Sequence, residues 1–236
     1  IKPFKLNHPF DYLRCEDIGN SFELLQLIYS KNFPGYSNLL TRNNTILTGP
    51  RGCGKTTIFR NLSLKAQLLG NKIKKLDEYK ENFIAIYYHC NDLYFAFPYL
   101  KEKLDDEERK CIIHYFNLSI LYEILDLLNI LNMVKGFDLG QNTIINIQEL
   151  IRLYIHAYEF PPLGTDIIRH LMTIVLREKG EARNWFEDRQ EIKPNFLPMD
   201  FINKFCEILQ DKNPWIKSRA IYFQLDDYST PNISNQ

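Results

Sequence analysis

The sequence predicts an α/β fold: a core with a parallel sheet, carrying a large helical insertion. Three observations predict it. A glycine-rich loop at residues 49–56 stands between a short β-like run and a helix. Apolar, β-branched and aromatic runs at 83–90 and 220–225 read as strands. Between those two runs, from about 98 to 214, apolar residues recur at helical spacing.

The elements follow in order. Residues 1–43 are mixed, broken by Pro3, Pro9, Pro34 and Gly35, and 22–30 reads as a short helix. Residues 44–48 form the β-like run. A helix is expected from Lys55 to about Leu69, ended by Gly70 just past its last turn. The charged stretch 71–82 reads as a loop or a solvated helix end, and 83–90 as a strand. In the insertion, helices are expected at 105–134, 147–158, 165–178 and 199–210. Gly136 and Gly140, then Pro161, Pro162 and Gly164, then the polar stretch 180–198 separate them. The expected division is 1–97 for the N-terminal segment and first part of the core, 98–214 for the insertion, and 215–236 for the rest of the core.

Composition narrows the function classes. With 236 residues and 45% apolar content the chain can bury a real core. Lys plus Arg equals Asp plus Glu at 29 each, so overall charge supports neither nucleic acid nor an anionic membrane as partner. Cys15, Cys53, Cys90, Cys111 and Cys206 are odd in number, widely spaced and without a CxxC pair. That supports neither a disulfide framework nor a zinc site and fits a reducing, cytoplasmic setting. The most apolar stretch, 111–134, contains His114, Asn117, Glu123, Asp126 and Asn129. It reads as a buried amphipathic helix, and no membrane is expected as partner.

The loop carries the chemistry. Gly49-Pro50-Arg51-Gly52-Cys53-Gly54-Lys55-Thr56 fits G-x-x-x-x-G-K-[ST]. Glycines let several backbone N–H groups converge into an anion nest, and the helix that follows adds the positive end of its dipole. Lys55 is expected to meet the β- and γ-phosphates, and Thr56 to place a hydroxyl on Mg²⁺; Thr57 completes the binding set. A nucleoside triphosphate with Mg²⁺ is thus the expected ligand.

Such a loop works with a carboxylate at the end of a buried strand. Leu76-Asp77-Glu78 follows Lys74-Lys75 and has no strand leading into it. Asp92 and the pair Asp226-Asp227 remain. The pair is preferred: Asp226 would hold Mg²⁺, and Asp227 would orient or deprotonate the attacking water. Gln224 is a blemish, because a polar side chain in a buried strand needs a partner.

With both motifs placed, the chain resembles the AAA+ superfamily, and within it the bacterial ATPases similar to the origin-recognition, or replication-initiator, group. Three places carry the resemblance: Tyr12-Leu13-Arg14-Cys15-Glu16-Asp17, the stretch from Leu47 to Thr57, and Leu225-Asp226-Asp227-Tyr228. It departs from that pattern in having Asp227 where Glu is usual. An Asp-Asp pair there is also similar to the STAND NTPases, and the motifs leave both open. The resemblance implies ATP over GTP, hydrolysis, a homo-oligomer or a partner subunit, and a link to anti-phage defence. Two other readings stand beside an ATP-driven switch: a small-molecule kinase with Arg177, Arg183 and Arg189 as a lid, and a nucleic-acid-binding initiator. The insertion reads either as scaffold or as a partner-docking module with Tyr158, Phe160, Trp185, Phe186 and Phe196 as anchors.

Overall fold

A computed structural model describes residues 22, 25, 36–41, 43–49, 53–70, 72–97, 104–155, 161, 166–188 and 194–226. The chain divides into two compact units, Ile1–Lys74 and Lys75–Gln236. Among the described residues the fold is mixed α/β, mostly helical, with one small parallel sheet.

In the first unit a 3-10 turn, Tyr36–Leu40, precedes the loop, and two helices follow it: α1, Lys55–Leu62, and α2, Leu64–Leu69. No strand forms at 44–48, contrary to expectation, and Ile46 is 89% exposed. β-propensity measures fit to a paired, half-buried surface. Here no strand pairs with the run and its side chains gain little burial. Of the expected helix at 22–30, only Phe22 and Leu25 are described, and both are helical.

The single helix expected at 55–69 is two helices, because Ser63 breaks it. Ser63 leaves the helical region (φ −62°, ψ 136°). Its N–H donates to the Phe59 carbonyl at 3.1 Å, closing α1. Its Oγ donates to the Arg60 carbonyl and accepts from the Ala66 N–H, capping α2. Gly70 does end α2, but at φ −79° and not in the left-handed conformation.

The second unit holds the sheet. β1 is Phe83–His89 and β2 is Ala220–Asp226. They pair in parallel, from Phe83 opposite Ala220 to His89 opposite Asp226. Everything expected as the insertion therefore lies on one crossover between hydrogen-bonded neighbours. It contains α3 (Asn91–Ala96), α4 (Asp106–Leu131), α5 (Gln141–Tyr154), α6 (Ile167–Asp188), α7 (Phe201–Lys212) and α8 (Pro214–Lys217).

α4 organises the unit. Asp105 and Glu108 close a reciprocal capping box, with bonds of 2.7 and 2.8 Å. Buried positions fall at helical spacing in its first half and cover most of its circumference from Asn117 onward. Tyr122, Glu123, Asp126 and Asn129 form the half-buried side, so the helix is amphipathic with a wide buried face. By length and composition it could cross a membrane, yet 61% of that apolar window is buried inside the fold. It packs on α6, α7, α3 and β1, the α6 face most extensively.

α6 runs ten residues past the end expected at Glu178, straight through Gly180. A helical glycine costs about 1 kcal/mol relative to alanine. That is outweighed by burying Ala182 and Trp185 against Cys111 of α4. The Cys111 thiol also donates to the Ala182 carbonyl at 3.2 Å. α5 begins six residues earlier than expected, where Gly140 adopts φ 79° and launches the helix, and it ends at Tyr154 rather than 158.

Of the aromatic residues weighed as docking anchors, Trp185 is buried, while Phe186 and Phe196 are half-buried. Trp185 and Phe196 meet edge to face at 5.5 Å, and Phe97 and Phe186 at 4.7 Å, contacts that fit the scaffold reading. Tyr158 and Phe160 lie outside the described residues.

His114 of α4 is fully buried and receives the Leu197 N–H on Nδ1 at 3.1 Å. That bond requires Nδ1 to be unprotonated, so the proton sits on Nε2. Burial lowers its pKa from 6.5 to about 4. Because the unfolded chain takes up this proton first, stability is full above pH 6.5 and falls as pH drops toward 4. The expected loss is about 3 kcal/mol. Urea unfolding of wild type and His114→Gln between pH 4 and 7 checks it; equal pH slopes would refute it.

Candidate functional site

The phosphate loop ends where α1 begins. Gly54 takes φ 91°, ψ 13° immediately before Lys55. That left-handed turn costs a non-glycine residue about 1–2 kcal/mol and swings the chain into the helix. The first helical bond runs from the Ile58 N–H to the Gly54 carbonyl at 3.0 Å. Amides ahead of it belong to the open N-terminal end of the helix, where the dipole favours an anion. α1 has no acidic residue in its first turn. Thr56 and Thr57 lie half-buried in that turn.

Lys55 turns back over the loop. Its Nζ donates to the Gly49 carbonyl at 2.8 Å and lies 3.7 Å from Cys53 Sγ. A Cβ at Gly49 would sit 2.8 Å from Cys53 Sγ, so a larger residue there would have to displace the cysteine side chain. Glycine at both ends, an ammonium folded onto the loop and an open helix end fit a triphosphate. Pro50, Arg51 and Gly52 lie outside the described residues.

In the second unit Asp226 is the last residue of β2 and is 3% exposed. Its carbonyl accepts the Cys90 N–H at 2.9 Å, and its Oδ2 accepts the Tyr87 hydroxyl at 2.9 Å. Parallel register places Tyr87, His89, Gln224 and Asp226 on one face of the sheet. A buried carboxylate at the C-terminal end of a parallel strand offers the hard oxygen that Mg²⁺ prefers. Among the described residues no three carboxylate, imidazole or thiol groups converge. Mg²⁺ held beside phosphates does not need such a cage. Asp227 lies outside the described residues, as do Tyr12 to Asp17 and Tyr228.

The structure also locates the competing residues. Asp77 and Glu78 sit on an exposed 3-10 turn, Leu76–Glu78. Asp92 opens α3, and its negative charge acts on Tyr88, on Tyr115 of α4 and on Lys179 of α6. Gln224 keeps its blemish: its buried Oε1 has no hydrogen-bond partner, and neither has the Tyr222 hydroxyl. Arg177 and Arg183 pair along α6 with Glu181 and Glu187, at 3.9 and 2.9 Å. Such i,i+4 pairs are the ordinary dress of a solvated helix face. Arg189 lies outside the described residues. Tyr87 was missed by sequence reasoning, because an aromatic residue in a strand reads only as packing.

A family model described as ORC-CDC6-like matches residues 9–230, nearly the whole chain. No curated protein matches the chain, and no solved structure does. The match spans the loop, the crossover helices and the second acidic strand together. The chain therefore belongs to the ORC-CDC6-like family, an AAA+ initiator-like group for which nucleotide binding is implied.

Proposed function

We propose that the chain binds ATP with Mg²⁺ and hydrolyses it, using the cycle as a switch or assembly step that controls a partner protein. Gly49, Pro50, Arg51, Gly52, Cys53, Gly54 and Thr57 supply the loop, with Lys55 meeting the β- and γ-phosphates. Thr56 and Asp226 hold Mg²⁺, which neutralises charge on those phosphates when bound. Asp227 orders the attacking water. A control role in bacterial anti-phage defence rests on resemblance alone.

The observation that carries this reading is the loop itself: Lys55 Nζ lies 2.8 Å from the Gly49 carbonyl, over a helix start that Gly54 opens at φ 91°. Arg177 and Arg183, two of the residues weighed as a kinase lid, pair with Glu181 and Glu187 along their own helix, which does not favour the kinase reading. We further propose that the transition-state arginine comes from a neighbouring copy, as arginine fingers supplied in trans do.

The test is phosphate release from ATP with no acceptor present. One phosphate per ADP is expected, with specific activity rising as protein concentration drives assembly. Transfer to a small molecule in place of release would overturn the switch reading. Fast turnover by a strictly monomeric chain would overturn the arginine assignment.

A further inference from the structure

Tyr87 and Asp226 are far apart in sequence and meet across the two strands. Tyr87 stands opposite Gln224, one register pair before His89 and Asp226. The diagonal to Asp226 is too long for a short side chain, but a phenol spans it. The hydroxyl arrives at Oδ2 at 2.9 Å. Asp226 is 3% exposed, and a buried carboxylate is costly unless a donor meets it. The carboxylate of an aspartate turns over a broad torsional range, so a donor on one oxygen fixes its plane.

We propose that Tyr87 is a positioning residue for Mg²⁺: its hydroxyl holds the Asp226 carboxylate in the orientation that meets the ion or its water. This rests on the assignment of Asp226 to Mg²⁺ above. Partners that orient a metal-binding carboxylate typically change metal affinity by 10- to 100-fold when removed. The same sheet face supplies a control. Tyr222 also carries a buried hydroxyl, but one without a hydrogen-bond partner.

The experiment uses the whole chain as wild type, Tyr87→Phe, Tyr222→Phe and Asp226→Asn. ATP binding is measured by calorimetry, first in EDTA and then across a Mg²⁺ titration, with thermal unfolding of each variant. Tyr87→Phe is expected to raise the Mg²⁺ concentration at half-effect by about tenfold. Its ATP affinity in EDTA should match wild type, and Tyr222→Phe should match wild type in both. A merely structural role would lower ATP affinity in EDTA and with Mg²⁺ alike, and that result overturns the proposal. If Asp226→Asn shifts the Mg²⁺ titration and Tyr87→Phe does not, Tyr87 has no positioning role while the Asp226 assignment survives. If Asp226→Asn leaves the titration unchanged, the Asp226 assignment fails and the role of Tyr87 falls with it.

Discussion

Replacing Lys55 by alanine is expected to weaken Mg²⁺–ATP binding by at least about 100-fold, because hydrogen bonds from a charged donor contribute about 1.5–3 kcal/mol each. Lys55 opens α1, and its Nζ already lies over the loop, 2.8 Å from the Gly49 carbonyl. In ATP binding the ammonium exchanges that neutral acceptor for phosphate oxygens of full charge. The fold should tolerate the change, since Lys55 is half-buried at a helix start and alanine is the best helix former. Calorimetric titration with ATP and Mg²⁺ measures the effect, and circular dichroism confirms that α1 survives. Unchanged affinity in a folded Lys55→Ala chain would remove the loop from the binding site.

The second large effect is expected at Asp227. Positioned general bases contribute about 10²–10⁴-fold to rate. Asp227→Asn should therefore slow phosphate release by at least about 100-fold while leaving ATP bound. Asparagine has nearly the same shape but cannot accept the proton of the attacking water. Asp226→Asn should differ in kind, moving the Mg²⁺ dependence as well as the rate. If Asp227→Asn turns over at the wild-type rate, the base lies elsewhere, and Asp92, on the helix that follows β1, becomes the residue to test.

The sequence by itself determined the elements with strong local chemistry. The glycine-rich loop followed by Lys55 marked the start of a helix, and α1 begins at Lys55 directly after Gly54. The apolar runs at 83–90 and 220–225 became paired parallel strands within a residue of their expected ends. The helix expected from residue 105 is α4, which starts at Asp106 with Asp105 and Glu108 capping it through bonds only three residues apart. Where competing burial decided, local reading failed. Residues 44–48 have strand propensity, but only a neighbouring strand turns propensity into a strand. Gly180 and the polar residues after it looked like a break, until Ala182 and Trp185 found Cys111 on α4. Ser63 looked like an ordinary helical residue, and instead its N–H closed one helix while its hydroxyl capped the next. Tyr87 carried no signal, because its bond to Asp226 exists only once two strands distant in sequence lie in register. Short-range rules act through backbone angles and caps within a few residues, so the chain alone reveals them. Which aromatic packs and which hydroxyl reaches a carboxylate depends on neighbours that only the tertiary fold brings together.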